Sequence, residues 1–232
     1  MTRRLVLLAA LALACAACSG GGGSDETTTE AAGSFAPLST LGKLQPAPPP
    51  GTKGGELVPI PDAPDLAPAG SKATADSDVD GIRCEHNAKL VSHVHSHVTV
   101  FVDGEQRAIP AGVGIDPPVG PDNYRPSPIG PQFGETPGMC LTWVSTRYAD
   151  GLIHVESPEQ RSFTLGDFFK VWGQPLGKGE VGPAKGDVTA IVNGKVWTGD
   201  PNDIELAAHT QIQLMVGTPL VAPQTIRFPG LF

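Results

Sequence analysis

The stretch Lys89 to Gly104, KLVSHVHSHVTVFVDG, constrains this chain more than any other. Successive side chains of a strand point to opposite faces. Val94, Val98, Val100 and Val102 therefore share one face, and His93, His95, His97, Thr99 and Phe101 share the other. The valine face is built for a core, so the histidine face lies either in solvent or under a second layer. Asp103-Gly104 follows, a dipeptide suited to a two-residue hairpin turn because both of its positions need positive φ. A short return strand is expected to Ile109, ended by Pro110, which has no N–H to donate.

Downstream, Gly112 to Met139 is rich in proline and glycine, and no regular element is expected there. Strands are expected at Cys140 to Val144 and in GLIHVES. In the latter, Leu152, His154 and Glu156 share a face opposite Ile153 and Val155. SFTLGDFFKVWGQPL reads as a helix. Thr164 is its N-cap, Asp167 suits the positive end of the helix dipole, and Gly173 with Pro175 stops it. Leu165, Phe168, Phe169 and Trp172 form a core-facing stripe. DVTAIVNGKVWTG is a second hairpin turning at Asn193-Gly194, and TQIQLMVGTP is a last strand. The fold class is α+β, a mostly antiparallel sheet with one main helix. The order of hairpin, strand, helix, hairpin, strand is similar to that of β-grasp (ubiquitin-like) domains.

The chain begins MTRRLVLLAALALACAACSGGGGS. Arg3 and Arg4 precede a short apolar run, Leu5 to Ala14, too short for a stable membrane span; the pattern is that of an export signal. Its end resembles a bacterial lipobox. In such signals the cysteine becomes the lipidated first residue, here Cys18, preceded by Ala16 and Ala17. Residues 1–17 are thus expected to be removed. Residues 18–79 carry SGGGGSDETTTEAAG, LQPAPPPGTKGG and VPIPDAPDLAPAG, flexible and polyproline-like compositions without apolar periodicity. They are expected to form a disordered tether that lifts a single domain, residues 80–232, off a membrane surface.

The formal charge of −8, with basic residues scattered singly, excludes nucleic acid as the natural partner. Cys84 and Cys140 remain after the signal. In an exported chain such a pair is most simply a disulfide, although thiolate metal ligation is a rival reading. The membrane, through the lipid, is one expected partner; a metal ion or an envelope protein is the other.

The chain has six histidines, three of them within five residues. Alternate imidazoles on one strand face can bend onto one ion, and histidine suits zinc and copper. His154 is the expected donor from a neighbouring strand, giving a candidate set of His93, His95, His97 and His154, with Glu156 as a supporting group. A solvated histidine row and a pH-responsive one are the competing readings. His86 and His209 lack such spacing. No G-x-S-x-G elbow is present, and Ser145 and Ser157 have no marked base, so no catalytic residue is assigned.

Three segments together, HVHSHVTVFVDGEQRAIPAGVGI, CLTWVSTRYADGLIHVESP and SFTLGDFFKVWGQPL, resemble an uncharacterised family of exported prokaryotic proteins. Members share an H-x-H-x-H strand, a G-x-I-H-x-E-S strand and a T-L-G-x-F-F-x-x-W-G helix. The resemblance implies a shared fold and a metal-handling role, with no established activity. Where that pattern has L-H-T-H-D, this chain has Trp143 to Asp150 without histidine. Three functions stay open: a lipid-anchored extracytoplasmic copper or zinc binder, a three-histidine metal-dependent lyase or hydrolase, and an envelope interaction module without metal.

Overall fold

The computed structural model describes residues 34–86, 90–118, 124–125, 132–133 and 139–230. The expected signal and Cys18 lie outside them. Eight strands form the main sheet: β1 (Phe35–Ala36), β2 (Ser92–Val102), β3 (Glu105–Arg107), β4 (Val144–Ser145), β5 (Leu152–Ser157), β6 (Val188–Val192), β7 (Lys195–Trp197) and β8 (Gln211–Val216). Their order is β1-β7-β6-β8-β2-β5-β4, with β3 also paired to β2. Only the β8–β2 pairing is parallel. The architecture is α+β, and its likeness to a β-grasp rests on element order alone.

Both hairpin turns form as their dipeptides dictate. Asp103 and Gly104 have φ of 50° and 79°, and Asn193 and Gly194 have φ of 48° and 77°. Helix α1 spans Leu165–Trp172. Thr164 and Asp167 close a reciprocal capping box, and Gly173 ends the helix in the left-handed region. Its buried stripe of Leu165, Phe168, Phe169 and Trp172 packs on Val98, Val100, Ile153, Val155, Ile212 and Leu214. Burying each large side chain of this layer stabilises the fold by about 1.5–3 kcal/mol.

The opposite face of the sheet is also covered. Phe101, Ile191, Met215 and Val221 are buried there under Leu38, Leu41, Ala47 and Leu220. This corrects the expectation of a free tether over residues 34–79. Ser34 accepts from the Thr198 amide at 2.9 Å, Gln45 and Leu220 are bonded at 2.8 Å, and the Leu66 amide donates to Ala108 at 2.8 Å. Val58 and Ala73 are fully buried. Isolated apolar residues among prolines show no period, yet the sheet face offers Leu38, Leu41 and Ala47 a site. Residues 18–33 lie outside the described part.

Cys84 and Cys140 form a disulfide. It lies in a small sheet in which strand Cys140–Thr142 pairs with Cys84–Glu85 on one side and Ile115–Asp116 on the other. That sheet runs into β4 through Trp143, whose indole N–H donates to Glu85 at 2.8 Å.

Candidate metal centre

The site is a consequence of register. In the β2–β5 pair His95 stands opposite His154, His93 opposite Glu156 and His97 opposite Leu152. Side chains directly opposed share a face, so the first two pairs put four polar groups on the covered side of the sheet. Nε2 of His95 lies 3.2 Å from Nε2 of His93 and 2.9 Å from Nδ1 of His154. One ligand atom from each of the three rings falls within 4.8 Å of the others. His93 is exposed, while His95 and His154 are buried. The cluster thus runs inward from the surface.

The structure corrects the fourth ligand. His97 Nε2 instead donates to the Asp150 carbonyl oxygen at 2.8 Å. Gly151 permits this close approach: at φ 78° it sits where a Cβ would come within 2.2 Å of the Val98 carbonyl oxygen. With Leu152 opposite, His97 has no ligating neighbour across the strand pair. His86 bonds the Met139 carbonyl, and His209 stacks on Phe228; neither joins the cluster.

Three charged residues absent from the sequence-based set complete the surroundings. Glu56 comes from a hairpin pairing Thr52–Lys53 with Pro59–Ile60, inside the segment expected to be a tether. Its Oε1 lies 3.0 Å from His154 Nε2, with both side chains fully buried. Arg147 stands between two carboxylates, with Nη2 2.6 Å from Glu156 Oε1 and Nη1 3.8 Å from Glu56 Oε1. Glu156 Oε1 also lies 3.3 Å from His93 Nε2. Asp150, the third, is buried at the turn into β5, where Oδ1 accepts from the Leu152 amide at 3.0 Å. A lone carboxylate in Gly54-Gly55-Glu56-Leu57-Val58 was the only signal for Glu56, and nothing in the sequence links it to a histidine 98 positions on.

Burial sets the electrostatics. It pushes the His95 imidazole down to about 2, helped by the neighbouring His154 and His93, and holds His154 well below its ordinary value. Burial pushes Glu56 up to about 7 against the opposing charge of Arg147. For Glu156 burial acts upward, but Arg147, His154 and His93 together outweigh it and hold the carboxyl below its usual range. His95 and His154 are therefore neutral at physiological pH, the form that donates a lone pair to a metal.

Asp150 yields a stability prediction. Burial, and then the Glu56 charge, push its carboxyl from 3.8 up to about 7. Between those values the folded chain holds a proton that the unfolded chain has released. This group's contribution therefore falls as pH rises through that window, and its penalty is complete above about pH 7. Asp150→Asn keeps Oδ1 as the acceptor for Leu152 and removes the ionisation. Urea unfolding should show the variant more stable than the parent by about 1–3 kcal/mol at pH 8 and equal to it near pH 4. An unchanged difference across that range would show that Asp150 titrates normally.

Comparison with family models, with curated proteins and with solved structures found no match in any of the three. The site's chemistry therefore rests on its own geometry.

Proposed function

We propose that this chain is an exported, lipid-anchored protein whose domain binds one copper or zinc ion through His93, His95 and His154. The carrying observation is the convergence of three imidazole nitrogens from two adjacent strands, at 3.2 and 2.9 Å. Zinc–nitrogen bonds near 2.05 Å at tetrahedral angles place ligand nitrogens about 3.3 Å apart; the two separations through His95 are close to that, and the three ligand atoms all lie within 4.8 Å of one another. An all-imidazole set suits zinc or Cu(II) rather than the ions that favour oxygen alone. Glu156, whose Oε1 lies 3.3 Å from His93 Nε2 and 2.6 Å from Arg147 Nη2, supports the exposed end of the set. The resemblance in the H-x-H-x-H and G-x-I-H-x-E-S strands supports the same reading.

Binding is favoured over catalysis. Arg147 ties up Glu156 at 2.6 Å, so the carboxylate at the exposed end is paired with a guanidinium rather than free to act as a base, and Glu56 lies on the buried inner side, away from that end. Elemental analysis of the purified chain after loading with zinc or copper should give one equivalent, removable by a strong chelator. Protein that takes up neither ion would end the reading.

The anchor is supported by the Arg3-Arg4 start, the short apolar run and Ala16-Ala17-Cys18. The Cys84–Cys140 disulfide is compatible with an oxidising compartment. Full-length protein should enter the detergent phase on partitioning, and Cys18→Ser should move it to the aqueous phase. A variant that still follows the detergent would rule out lipid attachment at Cys18.

A further inference from the structure

The hairpin at residues 52–60 inverts the ordinary choice of what to bury. At its tip Leu57 is 56% exposed while the neighbouring Glu56 is 2% exposed. Carboxylates are almost never so buried unless paired, because desolvating the charge is costly. The backbone is shaped to hold this arrangement. The Gly54 amide bonds the Val58 carbonyl at 2.9 Å and the Leu57 amide bonds the Gly54 carbonyl at 3.1 Å. Leu57 itself takes φ 62°, a left-handed conformation that favours glycine. Gly55 lies against the Tyr148 ring, where a Cβ would meet the hydroxyl oxygen at 2.2 Å. A chain that exposes leucine and twists its backbone in order to bury one carboxylate is spending stability on the carboxylate's position.

That position is the far side of His154. Its two ring nitrogens look in opposite directions: Nδ1 lies 2.9 Å from His95 Nε2, inside the cluster, and Nε2 lies 3.0 Å from Glu56 Oε1, outside it. A neutral imidazole carries one proton. If that proton is on Nε2, facing the carboxylate, the lone pair on Nδ1 faces His95 and His93. Neither Glu56 oxygen makes a hydrogen bond of standard geometry among the described residues: Oε1 approaches His154 Nε2 to 3.0 Å, a contact that a small turn of the carboxyl would make into one.

We propose that Glu56 is the positioning residue of the metal site: it accepts the Nε2–H of His154, fixes that tautomer and turns Nδ1 toward the ion. This rests on the metal reading of the cluster and deepens it. The row carboxylate–imidazole–metal both orients the ring and raises its basicity as a ligand. It also explains why the segment before the central strand packs on the histidine face, since that segment supplies the acceptor. Arg147, at 3.8 Å from Glu56 Oε1, offsets part of the carboxylate's charge without replacing His154 as its contact.

The test uses the full chain and zinc. In metal-free wild type at pH 8, imidazole nitrogen NMR should find the His154 proton on Nε2. Zinc affinity, read by chelator competition, should fall 10–100-fold in Glu56→Leu, the range typical of losing such a partner. Glu56→Gln retains an acceptor oxygen of the same reach, and should keep the Nε2–H form and most of the affinity. The proposal is overturned if Glu56→Leu binds zinc as tightly as wild type, if the Gln and Leu variants are equally weak, or if the His154 proton sits on Nδ1. Should Glu56→Leu not fold, the tautomer in wild type decides alone. Wild type that binds no zinc overturns the metal reading itself; zinc binding indifferent to Glu56→Leu overturns only this assignment.

Discussion

If the cluster binds zinc as proposed, full-length protein carrying His95→Ala should retain no stoichiometric zinc after dialysis, whereas His97→Ala should retain one equivalent and unfold more easily. The two residues are alternate on β2 and indistinguishable by pattern, so the contrast is a direct reading of the structure. His95 Nε2 is the nitrogen shared by both short contacts of the cluster, to His93 at 3.2 Å and to His154 at 2.9 Å. Removing it separates the other two and leaves a two-histidine site. The affinity loss should exceed the 10–100-fold expected for an outer partner such as Glu56. His97 spends its Nε2–H on the Asp150 carbonyl at 2.8 Å and is 5% exposed. Its removal leaves a cavity and an unpaired carbonyl, a loss of about 2–4 kcal/mol in urea unfolding with zinc affinity unchanged. Chelator competition and urea titration on both variants check this. Zinc binding that survives His95→Ala would place the site elsewhere, and zinc binding abolished by His97→Ala would restore the four-histidine set.

What was legible in the sequence was whatever a local rule controls. The valine alternation fixed the face of β2, the Asp-Gly and Asn-Gly pairs fixed two hairpins, and Thr164, Asp167 and Gly173 bounded α1 where the structure places them. Alternation also made His93, His95 and His154 candidates. It could not separate His95 from His97, because that depends on which residue of β5 stands opposite. His154 faces the first and Leu152 the second. Register is a property of the pair of strands. Glu56 and residues 34–79 were illegible for a different reason. Prolines and glycines give no period, and composition alone reads as a chain unable to bury apolar surface. That reading fails because Leu38, Leu41 and Ala47 pack on Phe101, Ile191 and Met215 of a sheet made by the rest of the chain, and Val58 is fully buried. Low intrinsic order and a docked position are compatible when the rest of the chain supplies the dock.

The second large effect concerns the covalent link. Replacing both Cys84 and Cys140 by serine should lower the unfolding free energy by about 4 kcal/mol, on the chain-entropy account of a bridge that closes a long loop. The sequence separation is 56, and the enclosed residues include all of β2, and with it His93, His95 and His97. With an m value of about 2 kcal/mol/M, the urea midpoint should fall by about 2 M. The metal site closes a different connection, from β2 to β5, which the disulfide does not span. If the cluster binds zinc, an ion held only by the folded state adds about 2.7 kcal/mol at a free concentration one hundred times its dissociation constant. Zinc should therefore raise the midpoint of the double-serine variant by nearly as much as that of the parent, because the sites share no partner and their effects should add. A zinc effect that vanished with the disulfide would show instead that the small sheet around Cys84–Cys140 holds β4 and Arg147 in place for the cluster. In that case the bridge would be a part of the metal centre as well as of the fold.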